Sequence, residues 1–201
     1  MAQEYIDPKR QAARQSFTGS RVSESQFEMA QNLGSVIHAG IWKDGDFFER
    51  LKKYSEAFAD TQKFDEKRAE IIIRDVYTAY HGHSMNALRE ELRNNRAALQ
   101  EAGEDVAQPH VQAVKHHIKD GKTMSYGAAL DTQAVAMSRR FRITENTAMS
   151  MMHESNERET GRSLSEIGKE LENQYHRPVR DAERAARQTT RSQIQRSGPS
   201  L

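Results

Sequence analysis

Residues 23–41 read SESQFEMAQNLGSVIHAGI, and their spacing decides the fold class. Phe27, Ala30, Leu33, Ile37 and Ile41 recur at steps of three and four, so they share one face of an α-helix. Ser23 stands where a hydroxyl can accept an early backbone N–H and cap that helix. A single apolar face needs a partner, and the chain supplies candidates downstream. Lys43-Asp44-Gly45-Asp46 makes a turn, and from Phe47 a second helix carries Phe48, Leu51, Tyr54 and Phe58 at apolar positions. Asp60, Thr61 and Lys63 separate it from a long third segment, about Asp65 to Leu99. There Ile72, Val76, Tyr80, Ala87, Leu88, Leu92 and Leu99 share a broad face, with His81-Gly82-His83-Ser84 as the kink or break. A helical domain is expected over 23–102.

Further along, Gly103-Glu104-Asp105 and Pro109 have the composition of a linker, followed by a helix from His110 to Lys119 that ends at Gly121. Thr123 can cap the next helix, which carries Tyr126, Leu130, Ala134, Met137 and Phe141. Thr144 opens another helix that reaches about Glu159 and stops at Gly161. Ser163-Leu164-Ser165-Glu166 is a capping box, in which the hydroxyl takes a backbone N–H and the glutamate reaches back, so a helix follows from Leu164 to Leu171. Pro178 suits the first turn of a last helix running to about Gln193. Period-two alternation is missing, and the β-branched run Ile71-Ile72-Ile73 lies inside a helical pattern. The expected fold is all-α: a helical N-terminal domain and, over 109–196, a second helical domain. Residues 1–22 read as a flexible basic arm and 197–201 as a disordered tail.

The 201 residues hold 36% hydrophobic, 29% charged and 7% aromatic side chains, enough for one or two modest cores. Cysteine is absent, which excludes disulfides, thiolate metal sites and thiol nucleophiles and fits a reducing cytoplasm. The N-terminal residues lack the apolar core of a signal peptide, and no uncharged apolar run is long enough to span a bilayer, so neither secretion nor a membrane partner is expected. Histidine pairs such as His81 with His83 and His116 with His117 lack the spacing of four that suits a helical chelate, and no metal or other cofactor is expected. No Gly-x-Ser-x-Gly elbow, zincin motif or dinucleotide fingerprint occurs, so no enzyme is expected.

The net charge of +1 is an average over unlike parts. Residues 1–22 sum to +2, residues 23–138 to −4 and residues 139–201 to +3. Arg177, Arg180, Arg184, Arg187 and Arg191 step by three and four, so they lie along one stripe of the last helix. Five guanidiniums on one face suit phosphate, and Arg177 and Arg180 near the helix start can pair bidentately with guanine. A solvated helix face is the plainer reading of such a stripe.

Two stretches have the form of a helix-turn-helix. The first runs from Ala134 to Met152, with Phe141, Ile143, Ala148 and Met151 at buried positions, Arg142 where glycine is usual, and Arg139, Arg140, Thr144 and Asn146 as candidate DNA contacts. The second is Ser163-Leu164-Ser165-Glu166-Ile167-Gly168-Lys169-Glu170-Leu171 followed by His176, Val179 and Ala182. It resembles the C-terminal DNA-binding domain of the bacterial replication initiator DnaA over about residues 163–182. The resemblance implies that Gln174 to Arg180 forms an edge that reads bases, with His176 at the family's histidine position. Tyr175, Arg177 and Pro178 replace that family's Asp, Thr and Thr, so its own DNA box is not the expected target. No Gly-rich loop ending in Gly-Lys-Ser/Thr accompanies the segment, so the initiator's nucleotide-binding module has no counterpart here.

The expected DNA-binding residues are therefore Ser163, Lys169, Gln174, Tyr175, His176, Arg177, Arg180, Arg184, Arg187 and Arg191. The expected function is sequence-specific binding of double-stranded DNA by a transcriptional regulator, an activator of phage-like or mobile-element genes among the options, located in the cytoplasm at the nucleoid. Residues 23–102 would contact RNA polymerase, another regulator or a second copy in a homodimer. The alternative is a helical adaptor or assembly component without a nucleic-acid role.

Overall fold

The computed structural model describes residues 7–19, 21–120 and 125–196, and side chains as far as residue 188. Gly121, Thr123 and the tail expected over 197–201 lie outside the described residues. Ten helices and no strand occur among the described residues, so the chain is all-α. They divide into two units, residues 1–103 with 141–147, and residues 104–140 with 148–201. The first unit therefore takes in a segment that lies inside the C-terminal domain expected over 109–196.

In the first unit, α1 spans Pro8–Ser16, α2 Glu24–Trp42, α3 Phe47–Gln62, α4 Glu66–His81 and α5 Met85–Ala102. Each start has a local cause. Asp7, Ser23, Asp46, Asp65 and Ser84 all accept a backbone N–H of the first turn, and Ser23 with Gln26 completes a capping box. The long segment expected over 65–99 breaks into α4 and α5 because Gly82 adopts the left-handed conformation and Ser84 starts a new helix. Helix α4 is central, packing against α1, α2, α3 and α5. Phe27, Ile37, Phe58, Ile72, Ile73, Tyr77, Met85 and Leu88 are fully buried in one core.

Two expectations change here. The leading stretch is not a flexible arm over residues 7–19: Asp7 caps α1, Pro8 fits its first turn, and Ala13 is buried against the core. Arg10 bonds Gln31 and Glu28, both at 2.6 Å, and Arg14 donates to the Val22 carbonyl, so basic residues hold the helix in place. The second change concerns adjacent phenylalanines. Phe47 is the one in the core at 3% exposure, while Phe48, expected among the apolar positions, is 62% exposed.

The second unit holds α6 (Gln108–Lys119), α9 (Leu164–Tyr175) and α10 (Arg177–Arg196), with most of α7 (Tyr126–Phe141) and α8 (Glu145–Thr160). Val111, Val114 and Ile118 of α6, Ala134 and Met137 of α7, Ala148 and Met152 of α8 and Leu164 of α9 are buried. Helix α6 packs against α9, and α9 against α10. Polar links tie the remaining helices: Gln133 of α7 accepts from His110 Nδ1 at 2.9 Å and donates to His117 Nε2 at 3.3 Å, and Asn156 of α8 donates to the Arg162 carbonyl at 2.7 Å. None of the described helices is long and apolar enough to cross a membrane.

Candidate nucleic-acid interface

Helix α9 begins as its sequence dictates. The Ser163 hydroxyl accepts the Glu166 N–H at 3.2 Å and the Glu166 carboxylate accepts the Ser163 N–H at 3.1 Å, so the side chain of Ser163 is occupied as a cap. The helix runs to Tyr175, one turn past the expected Leu171. Gly168 faces Tyr126 so closely that a Cβ built on it would stand 2.1 Å from a ring carbon. The ring takes the space of the missing side chain and lets the start of α7 lie on α9.

Helices α9 and α10 are joined through His176 alone. No loop separates the two helices, and Gln174 and Tyr175 finish α9. His176 itself is 9% exposed, and its Nε2 lies 3.0 Å from the Ile118 carbonyl of α6. The residue expected to read bases is thus a buried ring bonded to α6 at the corner between α9 and α10. The carbonyl can only accept, so the Nε2 carries the proton of this bond.

Beyond that corner α10 stands out from the unit. Every residue from Arg177 to Gln188 is exposed. Arg177 lies 4.0 Å from Asp181 and Arg180 3.3 Å from Glu172, exposed pairs that contribute little to stability. Arg184 and Arg187 are exposed and form no ion pair with a described residue. From Arg177 to Arg187 the stripe covers about 15 Å at the helical rise per residue, comparable with the width of a major groove. Lys169 and Gln174 are exposed on α9, and Arg191 continues α10 with its side chain outside the described residues. Tyr175 (38% exposed) and Val179 (52%) edge a cavity of about 310 Å³ at the α9–α10 corner.

The other candidate reads differently. Arg142 ends α7 at φ 49, the left-handed conformation that glycine adopts more cheaply, and Ile143 after it is fully buried. The Thr144 hydroxyl accepts the Thr147 N–H at 3.1 Å and starts α8. Sequence spacing singled out this turn, yet not what holds it: Arg142 forms a forked ion pair with Glu91, and Asn95 donates to the Arg142 carbonyl at 3.0 Å. Arg139 and Arg140 are exposed in the second unit, whereas Thr144 and Asn146 belong to the first, so the four expected contacts do not form one site within either unit. Among the described residues no group of three or more His, Asp or Glu side chains is placed to hold a metal ion.

No family model, curated protein or solved structure matches the chain, and the resemblance to the initiator's DNA-binding domain finds no support there.

Proposed function

We propose that the protein binds duplex DNA through α10 and acts as a transcriptional regulator. One observation carries this reading: a helix exposed from Arg177 to Gln188 presents Arg177, Arg180, Arg184 and Arg187 on one stripe, two of them without an acidic partner among the described residues. A helix that is polar all round and buries little against its own fold gains stability when a partner covers it. A stripe of guanidiniums selects a polyanion as that partner. Arg184 and Arg187 hold phosphates, while Arg177 and Arg180, nearer the braced corner at His176, reach base edges. The first unit supplies the contact to RNA polymerase or a second copy.

A competing reading rests on the exposed Tyr175 and Val179 beside the corner cavity, which suit a protein partner. Titration of the full chain with duplex DNA at moderate salt separates the two. Replacing Arg184 and Arg187 with Ala should weaken binding to all duplexes alike, about tenfold or more, and replacing Arg177 and Arg180 should flatten the preference among sequences. Duplex affinity no greater than for an unrelated acidic protein would reject DNA and leave the adaptor.

A further inference from the structure

The first unit contains a cavity of about 390 Å³ between the start of α3 and one face of α5. That volume lies in the range of small-ligand sites. Arg89, Arg93 and Arg96 line it, spaced by four and three residues and therefore on one stripe of α5. None of the three forms an ion pair with a described residue, although Arg10, Arg74 and Arg142 of the same unit all do. Asp44 and Glu90 also line the cavity, which leaves its charged lining with a net single positive charge. Unpaired arginines beside carboxylates they do not engage favour an incoming anion.

The opposite wall is aromatic. The Arg89 guanidinium lies 4.4 Å from the Phe47 ring centroid and 4.8 Å from that of Phe48. Phe47 is buried, while Phe48 lines the cavity and is 62% exposed. A large exposed ring beside three arginines offers a stacking face next to them.

We propose that this cavity binds a mononucleotide-sized organic anion, a phosphate ester joined to a planar ring, with Arg93 and Arg96 on the phosphate and Phe48 with Arg89 against the ring. This site is independent of α10, and each can fail without the other. The test is calorimetric titration of the full chain with adenosine 5′-monophosphate, 1-naphthyl phosphate, adenosine and inorganic phosphate. Either ester should saturate one site, with adenosine and inorganic phosphate at least about tenfold weaker, since each keeps only one of the two contacts. Arg93→Gln combined with Arg96→Gln should lower ester affinity about tenfold or more, and Phe48→Ala severalfold. All three side chains are exposed, so the variants should melt like the parent. Arg184→Ala with Arg187→Ala should leave the titration unchanged. The proposal is overturned if neither ester saturates by about 10 mM, if adenosine binds as tightly as its monophosphate, if the cavity variants bind undiminished, or if the α10 variant abolishes binding.

Discussion

Gly168 lies under the Tyr126 ring, so the cost of a single methyl group there can be weighed against helix propensity. Alanine in place of glycine inside a helix gains up to about 1 kcal/mol. A Cβ 2.1 Å from a ring carbon forces the tyrosine or α9 to move, an overpacking cost of about 2–3 kcal/mol. Gly168→Ala should therefore destabilise the second unit by about 1–2 kcal/mol. Gly127, one residue from the same tyrosine, has nothing within 4 Å of its would-be Cβ, and Gly127→Ala should stabilise by about 0.5 kcal/mol. Thermal melts of the two variants test this, and a rise in Tm for Gly168→Ala would show that the close approach does not form. The same scale shows what spacing alone could not resolve. Either Phe47 or Phe48 satisfies the helical period, and only the packing of α4 and α5 chooses between them. For His176, the deciding partner is a carbonyl 58 residues away in the chain.

At the level of elements, the seam between α2 and α4 is a stack of rings. The Trp42 N–H donates to His38 Nε2 at 3.0 Å, so the neutral His38 ring carries its proton on Nδ1 and donates it to the Tyr77 hydroxyl 2.9 Å away. His81 stacks on both, with centroids 4.4 Å from His38 and 4.3 Å from Tyr77, and its buried Nε2 has no hydrogen-bond partner among the described residues. Burial, followed by the charges of His38, Lys9 and His83, pushes His81 down to about 4, and burial raises Tyr77 to about 12. In the unfolded chain His81 titrates near about 6.5. Above that pH it is neutral in both states and no penalty arises; between about 6.5 and 4 only the unfolded chain takes the proton, so stability falls as pH falls. The first unit should lose about 2 kcal/mol across that window, after discounting for a half-buried ring. His81→Phe should flatten this part of the profile in urea melts, and an unchanged slope would place the acid sensitivity elsewhere. Helix starts were legible because Ser23 and Ser163 cap through neighbours three residues away. Helix α1 was not, since its anchors are one alanine and bonds from Arg10 and Arg14, which a search for apolar periodicity passes over.

Over the whole molecule, the near-neutral total charge conceals an uneven distribution of cations. Sequence position suggested two basic ends, but the described residues make them unequal. Lys9 lies 4.2 Å from the Tyr80 ring centroid, and Arg10 and Arg14 pair with Glu28 and Glu24, so three of the four N-terminal cations are engaged within the first unit. The arginines of α10 are exposed from Arg177 to Arg187. If Arg184 and Arg187 are the phosphate contacts, duplex affinity should fall with salt as about two phosphates require, a slope of log K against log salt near about −1.8. A protein using both ends would show a slope steeper by about 3. Arg184→Ala with Arg187→Ala should remove most of that slope. Arg10→Gln with Arg14→Gln should leave it unchanged and lower the melting temperature of the first unit instead, because those side chains hold α1. A slope that ignores the α10 pair and shallows with the α1 pair would move the nucleic-acid surface to the N-terminal unit and overturn the assignment to α10.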